Sequence, residues 1–150
     1  MNMFFFYLSL IIILALFIAK MEGNVEGPYP WAKKLPTKRY KNRVTNLLFD
    51  GKEITGYHIW LFSTLFLFFH YHFLLGYPWS LKNELMVLAA FIFFATIEDF
   101  LAIILNPYFG LQKFSRKYVV WHKHWVSYIP LSYIQGLILS ALLFFISFSL

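Results

Sequence analysis

The chain contains no cysteine, and only 13% of its 150 residues are charged. The lack of cysteine excludes disulfide bonds, thiolate nucleophiles and the zinc or iron–sulfur centres that depend on cysteine ligands. Soluble domains carry about 25% charged residues, so this chain is poor in charge. Hydrophobic residues instead make up 60% of the sequence, which is typical of an integral membrane protein.

Acidic side chains are scarcer than basic ones, with 7 Asp and Glu against 13 Lys and Arg. The basic residues flank apolar segments, a pattern typical of contact with anionic lipid headgroups. No nucleic-acid-binding fold accompanies the positive charge, so a nucleic-acid partner is not expected. The expected partners are the lipid bilayer and its anionic headgroups, and a homo-oligomer is left open.

Four apolar segments approach the roughly 20 residues that a helix needs to cross a hydrocarbon core of about 30 Å. They cover residues 3–19, 57–76, 85–105 and 132–150. The first lacks the basic start and the small-residue cleavage site of a signal peptide, which favours a retained helix. The sequence therefore predicts one all-α integral membrane domain over residues 1–150, folded as a four-transmembrane-helix bundle.

The basic residues are distributed unevenly between the predicted spans. Eight lie in the first connection and four in the third, whereas the second connection holds only Lys82. Under the positive-inside rule, both long loops are cytoplasmic and both termini lie outside. In a prokaryote this predicts the plasma membrane as the location.

The two long loops carry structural signals of their own. Residues 23–36 are rich in glycine and proline, which predicts turns rather than helix. Residues 44–49 are apolar and precede Asp50-Gly51, which predicts a short hairpin. Residues 109–128 mix aromatic and basic side chains, which is typical of an interfacial amphipathic segment. The sequence thus predicts two structured cytoplasmic loops.

Two adjacent acids, Glu98 and Asp99, lie inside the third predicted span and are its only charged residues. A charged side chain at the centre of a membrane helix costs about 2.5–3.5 kcal/mol on insertion scales. Such acids must therefore face protein, water or a cation. The predicted topology brings further acidic and imidazole side chains to the same cytoplasmic depth, namely Glu22, Glu26, His58, His122 and His124.

Carboxylate oxygen and imidazole nitrogen are common ligands of divalent iron, zinc and manganese. We therefore expect a metal or acid–base centre whose core is Glu98 or Asp99 together with His58 and His122. The candidate catalytic residues are Glu98, Asp99 and His58. The supporting metal-ligand candidates are Glu22, Glu26 and His124. Because neighbouring residues are 100° apart on a helix, only one of the two adjacent acids is expected to point into the centre. The spacing matches no known metal motif, so the metal and the reaction stay open.

His70 and His72 lie about 18–21 Å beyond His58 along the second predicted span. They are therefore expected to have no direct contact with the cytoplasmic centre. The favoured interpretation is that they are buried polar groups that bond to neighbouring helices. The far end of a proton or ion path is the alternative.

Three classes of function fit these patterns. A membrane-embedded enzyme acting on a lipid or other amphiphile is slightly favoured. A proton or cation transporter or channel is the first alternative, although four spans without a visible inverted repeat are few for alternating access. A non-catalytic membrane assembly subunit is the second, in which Glu98 and Asp99 would only hold helices together.

Overall fold

The computed structural model describes residues 3–43, 45 and 53–150. This part of the chain contains four long helices: α1 (Met3–Glu26), α2 (Gly56–Leu74), α3 (Leu81–Ile104) and α4 (Leu131–Ser149). Two antiparallel ribbons join β1 (Arg39–Tyr40) to β2 (Ile54–Thr55), and β3 (Trp125–Val126) to β4 (Ile129–Pro130). The prediction of an all-α fold is confirmed in part: the described residues are mostly helical with two small ribbons, and the four-transmembrane-helix bundle stays a prediction.

Hydroxyl side chains fix the starts of two helices. The Thr55 hydroxyl accepts a hydrogen bond from the backbone N–H of His58 at the start of α2. The Ser80 hydroxyl accepts one from the N–H of Asn83 at the start of α3. N-terminal N–H groups of a helix have no partner within the helix, so these caps stabilise both starts.

Helix α1 extends further than the sequence predicts. It runs to Glu26, so the expectation that residues 23–36 are turns is wrong for the first four of them. The residue after the helix is Gly27, which has a φ of 58° and is followed by Pro28. A left-handed glycine followed by proline is a common helix terminator. As a result, Glu22 and Glu26 lie one helical turn apart on the same face of α1.

The structure can be compared with only part of what the sequence predicts for the two long loops. The predicted hairpin around residues 44–51 falls almost entirely outside the described residues, although β1 and β2 pair on either side of it. Residues 109–128 form an irregular loop that contains a short 3₁₀ turn at Leu111–Lys113 and the start of the second ribbon. Its placement in a headgroup plane stays a prediction.

Helix α3 lies at the centre of the packing, against α1 and α4 and, less extensively, against α2. The buried apolar cluster combines side chains from α1, α2 and α3, namely Ile11, Ala15, Leu65, Phe69, Met86, Val87, Ala90 and Phe94. The candidate site residues of α3 lie beyond this cluster, towards the C-terminal end of the helix.

Three helical segments are long and apolar enough to cross a membrane: Leu8–Glu26, Leu81–Ile104 and Leu131–Ser149. Only 17–33% of the residues in their apolar windows are buried within the protein. Many large apolar side chains of α1 and α4 are exposed, whereas those of α3 are mostly half-buried or buried. Exposed apolar surface of this extent is typical of contact with lipid. Helix α2 is not among the three, since His58, His70 and His72 make it less apolar. The span at residues 57–76 therefore stays a prediction.

Candidate functional site

Two carboxylates of α1 face the first turn of α2. The Nε2 atom of His58 lies 4.0 Å from Oε1 of Glu22 and 3.6 Å from Oε1 of Glu26. One ligand atom from each of these residues lies within 4.8 Å of the other two. Glu22 and His58 are buried, with 7% and 2% of their surface exposed. We call Glu22, Glu26 and His58 the Glu–Glu–His group.

The imidazole of His58 is oriented by a hydrogen bond to Nδ1 and by an aromatic ring stacked on its face. The Thr55 hydroxyl oxygen lies 2.7 Å from Nδ1 of His58. When Nδ1 carries the proton and donates it to Thr55, the lone pair of Nε2 is directed at the two carboxylates. Trp31 stacks on the ring, with 4.3 Å between the ring centroids. Such contacts to the distal nitrogen orient histidine ligands in metal sites.

The carboxylate of Glu26 is held by two consecutive backbone groups. The N–H groups of Trp31 and Ala32 donate to it over 2.7 and 2.5 Å. Both residues have positive φ angles, 60° and 50°. Residues other than glycine rarely adopt this conformation, which costs of order 1–3 kcal/mol each. Arg39 stabilises the turn by donating to the carbonyl oxygens of Ala32 and Lys33.

Glu98 lies beside Glu22 and is 1% exposed. The two carboxyl groups interact electrostatically. Among the described residues, Oε1 of Glu98, Oε1 of Glu22 and the hydroxyl of Tyr57 have no hydrogen-bond partner. A buried polar oxygen without a partner is unfavourable, and a buried charge more so. A proton or a bound cation would satisfy these oxygens.

Asp99 contacts different residues from those around Glu98. Its Oδ2 lies 2.8 Å from Nε2 of His122 and accepts a 2.5 Å hydrogen bond from the hydroxyl of Tyr133. The other ring nitrogen of His122, Nδ1, lies 3.2 Å from the hydroxyl oxygen of Ser132. We call Asp99 and His122 the Asp–His pair. It joins α3 to the second long loop, and an imidazole with a carboxylate partner is suited to proton transfer.

A small cavity lies between the Glu–Glu–His group and the Asp–His pair. All three members of the group line it, together with Asp99. Its volume is about 20 Å³. This is sufficient for about one water molecule. The Glu–Glu–His group and Asp99 therefore meet at the same small cavity, whereas His122 is not part of its lining.

The structure divides the predicted centre into two parts. Glu22, Glu26 and His58 lie at mutual ligand distance, whereas Asp99 and His122 form a separate pair beside them. Glu98 borders the group without belonging to it. His124 is exposed on the second long loop and is not a member of either set.

The two remaining histidines of α2 lie elsewhere. Nε2 of His70 is 3.0 Å from Oε1 of Glu84, at the start of α3. Nδ1 of His72 lies 3.1 Å from the carbonyl oxygen of Phe69. His70 therefore connects two helices through Glu84, as interhelical polar bonds do in membrane proteins.

The residues that orient the candidate ligands are not among those that the sequence predicts. Thr55 precedes the first residue of α2 and could have been identified as a helix cap. No local pattern indicates that the N–H groups of Trp31 and Ala32 converge on Glu26. Tyr133 also lacked a signal, because its contact with Asp99 depends on the packing of α4 against α3.

The protein is thus small and mostly helical, with a buried Glu/His group and three helices that are long and apolar enough to span a membrane. The chain matches no protein-family model, no curated protein and no solved structure.

Proposed function

We propose that this protein is a metal-dependent enzyme at the inner leaflet of the membrane that acts on a lipid or other amphiphile. The observation that carries the proposal is the convergence of Glu22, Glu26 and His58 beside a cavity that Asp99 also lines. Two carboxylates and one imidazole form a ligand set suited to iron, zinc or manganese. Three protein ligands leave a further position for water or substrate.

A divalent cation would also balance the negative charge of the buried carboxylates in this region. Among the described residues, no Lys or Arg forms an ion pair with Glu22, Glu26 or Glu98. Buried carboxylates are stabilised by metal coordination or by protonation. A cation bound by the Glu–Glu–His group would be adjacent to Glu98, whose unpartnered oxygen could then accept a hydrogen bond from a metal-bound water.

The Asp–His pair supplies the acid–base component of the proposal. Asp99 lines the cavity and is within hydrogen-bond distance of His122 and Tyr133. A proton released from a group bound in the cavity passes to the carboxylate of Asp99, which the hydrogen bond from Tyr133 and the nearby Nε2 atom of His122 stabilise before the transfer. Positioned groups of this kind accelerate reactions by about 10²–10⁴-fold.

The proposed membrane placement follows from the distribution of charge. Helix α2 acts as the fourth span, both long loops are cytoplasmic and both termini lie outside. The site then lies near the cytoplasmic headgroups, because Glu98 and Asp99 are on the last two turns of α3. An amphiphile held in the inner leaflet would reach it from the side of the bundle.

A transporter is less well supported than an enzyme by the packing of α2 and α3. The apolar side chains of Leu65, Phe69, Val87 and Phe94 are buried between the Glu–Glu–His group and the His70–Glu84 contact. Among the described residues, this apolar cluster separates the polar groups at the two ends of α2, which supports an enzyme over a transporter.

Metal analysis of the detergent-purified protein tests the metal component. We expect one iron, zinc or manganese per chain, with binding weakened about 10-fold or more in Glu22→Gln and His58→Ala. Glu84→Gln and His70→Ala are matched controls, because they alter an acid–histidine contact at the other end of α2 and should retain the metal. A parent protein that binds none of these metals after reconstitution contradicts the proposal.

Conversion of a total lipid extract, followed by mass spectrometry, tests the enzymatic component. We expect the metal-loaded parent to change the extract and Asp99→Asn to lose this activity while it retains metal. An Asp99→Asn variant that converts lipid as fast as the parent would exclude the assigned acid–base role.

A further inference from the structure

A second, larger cleft of about 420 Å³ lies against the candidate site. Three basic side chains and several aromatic ones line it. Its basic residues are Lys33, Arg39 and Lys123, and the one acidic residue among its described lining is Glu53. We call this space the basic cleft. Its positive charge contrasts with the carboxylates of the Glu–Glu–His group.

The basic cleft and the small cavity share four wall residues, namely Pro30, Trp31, Phe109 and Trp121. Trp31 also stacks on His58. A ligand seated in the cleft would therefore be separated from the proposed metal ligands by no more than these shared walls. The cleft is therefore placed to hold one part of a substrate next to the proposed metal ligands.

The cations of the cleft come from different parts of the chain. Lys33 and Arg39 belong to the first long loop, and Lys123 belongs to the second. Arg39 is fixed by hydrogen bonds of 2.6 and 2.8 Å to the carbonyl oxygens of Ala32 and Lys33. A preorganised guanidinium with lysines around it is well suited to the several oxygens of a phosphate.

Lys34 adds positive charge at the rim. Its Nζ atom lies 3.5 Å from the centre of the Tyr29 ring. Hydrogen bonding and charge from Lys34 lower the pKa of the Tyr29 hydroxyl. Tyr29 lines the cleft as well, so its aromatic surface is available to the apolar part of a bound molecule.

We propose that the basic cleft binds the phosphate group of the substrate and directs the rest of that molecule towards the Glu–Glu–His group. This inference rests on the proposed function and specifies its substrate class. The phosphate belongs either to a lipid headgroup or to a water-soluble phosphate compound. A general attraction of the loops to an anionic bilayer is the competing explanation, because Lys and Arg near a membrane surface each contribute to such attraction.

Calorimetric titration in neutral detergent tests the inference with three probes: dihexanoyl phosphatidic acid, inorganic phosphate and dihexanoylglycerol, which lacks phosphate. The site variant is the double substitution Lys33→Gln with Lys123→Gln. The matched control is Lys41→Gln with Lys117→Gln, which also removes one positive charge from each loop but lies outside the cleft lining. Both variants therefore have the same net charge.

We expect phosphatidic acid to bind the parent and the control about equally, and to bind the site variant about 10-fold or more weakly. Binding of phosphatidic acid alone supports a lipid headgroup, whereas equal binding of inorganic phosphate supports a soluble phosphate compound. Equal weakening in the two double variants overturns the inference in favour of general attraction. Equal binding of dihexanoylglycerol overturns it as well.

The metal content of the same preparations separates this inference from the proposed function. A site variant that keeps its metal but loses phosphate binding supports both. A parent that binds phosphatidic acid through Lys33 and Lys123 but holds no metal contradicts the proposed function and leaves the cleft assignment standing. A metal-loaded parent that binds no phosphate probe contradicts only the cleft assignment.

Discussion

Nδ1 of His58 lies 2.7 Å from the hydroxyl oxygen of Thr55, the residue that caps helix α2. One side chain thus begins the helix and orients the imidazole towards Glu22 and Glu26. Since Thr55 is fully buried, water cannot replace its hydroxyl without a local rearrangement. Helix formation and site geometry therefore depend on the same group.

Replacing this hydroxyl should affect both stability and metal binding. Thr55→Val preserves the shape of the side chain but removes the cap, which is expected to lower the free energy of unfolding by about 1–2 kcal/mol. Loss of the contact to Nδ1 should weaken metal binding by about 10–100-fold. Thermal unfolding in detergent and metal titration measure the two effects.

Ser80→Ala is the matched control for this change, because it removes the cap of α3 far from the Glu–Glu–His group. It should show a similar loss of stability with unchanged metal affinity. Equal metal affinity in Thr55→Val and the parent would show that Thr55 does not position His58.

The turn at Trp31 and Ala32 offers a second test, because its N–H groups bind Glu26. Ala32→Gly should fold with a free energy of unfolding within about 1 kcal/mol of the parent and retain the metal, since glycine adopts positive φ readily. Ala32→Pro removes the donor and requires a φ near −65°, so metal binding should fall about 10-fold or more.

Metal titration of the two Ala32 variants, alongside circular dichroism to confirm that each is folded, measures the difference. Retention of full metal affinity in a folded Ala32→Pro variant would show that the Ala32 N–H group is not needed to position Glu26.

The contact between Gly136 of α4 and Thr96 of α3 leaves no room for a methyl group. A Cβ atom built on Gly136 would collide with Oγ1 of Thr96. Gly136→Ala should therefore lower the free energy of unfolding by about 1–3 kcal/mol. Thr96→Ala should restore much of this loss in the double variant, because it removes the colliding oxygen. Thermal unfolding of the parent, the two single variants and the double variant gives the double-mutant cycle. Strictly additive changes in the free energy of unfolding would contradict the close approach of α3 and α4.

Much of the fold follows from the lengths of apolar segments, but the end of α1 does not. Gly23 in the interior of a helix is unfavourable by about 1 kcal/mol relative to alanine, so the sequence favours a turn there. In the folded protein, Gly23 packs beside Asn106, and a Cβ atom added to Gly23 would lie 3.6 Å from the Asn106 Cα atom. This tertiary contact between α1 and the end of α3 is not encoded in the local pattern.

The set of candidate site residues could be assembled from depth in the membrane, but its internal arrangement could not. Depth places His122 and His124 together, whereas the structure buries His122 against Asp99 and exposes His124. Helical periodicity did separate the directions of Glu98 and Asp99, because both lie on one regular element. The direction of a loop histidine depends on contacts that no periodicity describes.

The membrane placement can be tested with single cysteines, because the chain has none of its own. Lys38 precedes α2, Lys82 follows it at the start of α3, and Lys117 lies beyond α3. If all helices cross the membrane, a membrane-impermeant maleimide applied to intact cells should label Lys82→Cys and leave Lys38→Cys and Lys117→Cys unlabelled. Permeabilisation should then make all three reactive. Labelling of Lys38→Cys and Lys82→Cys from the same side would show that α2 does not span the membrane, and the opposite pattern at all three positions would move the Glu–Glu–His group to the outer leaflet.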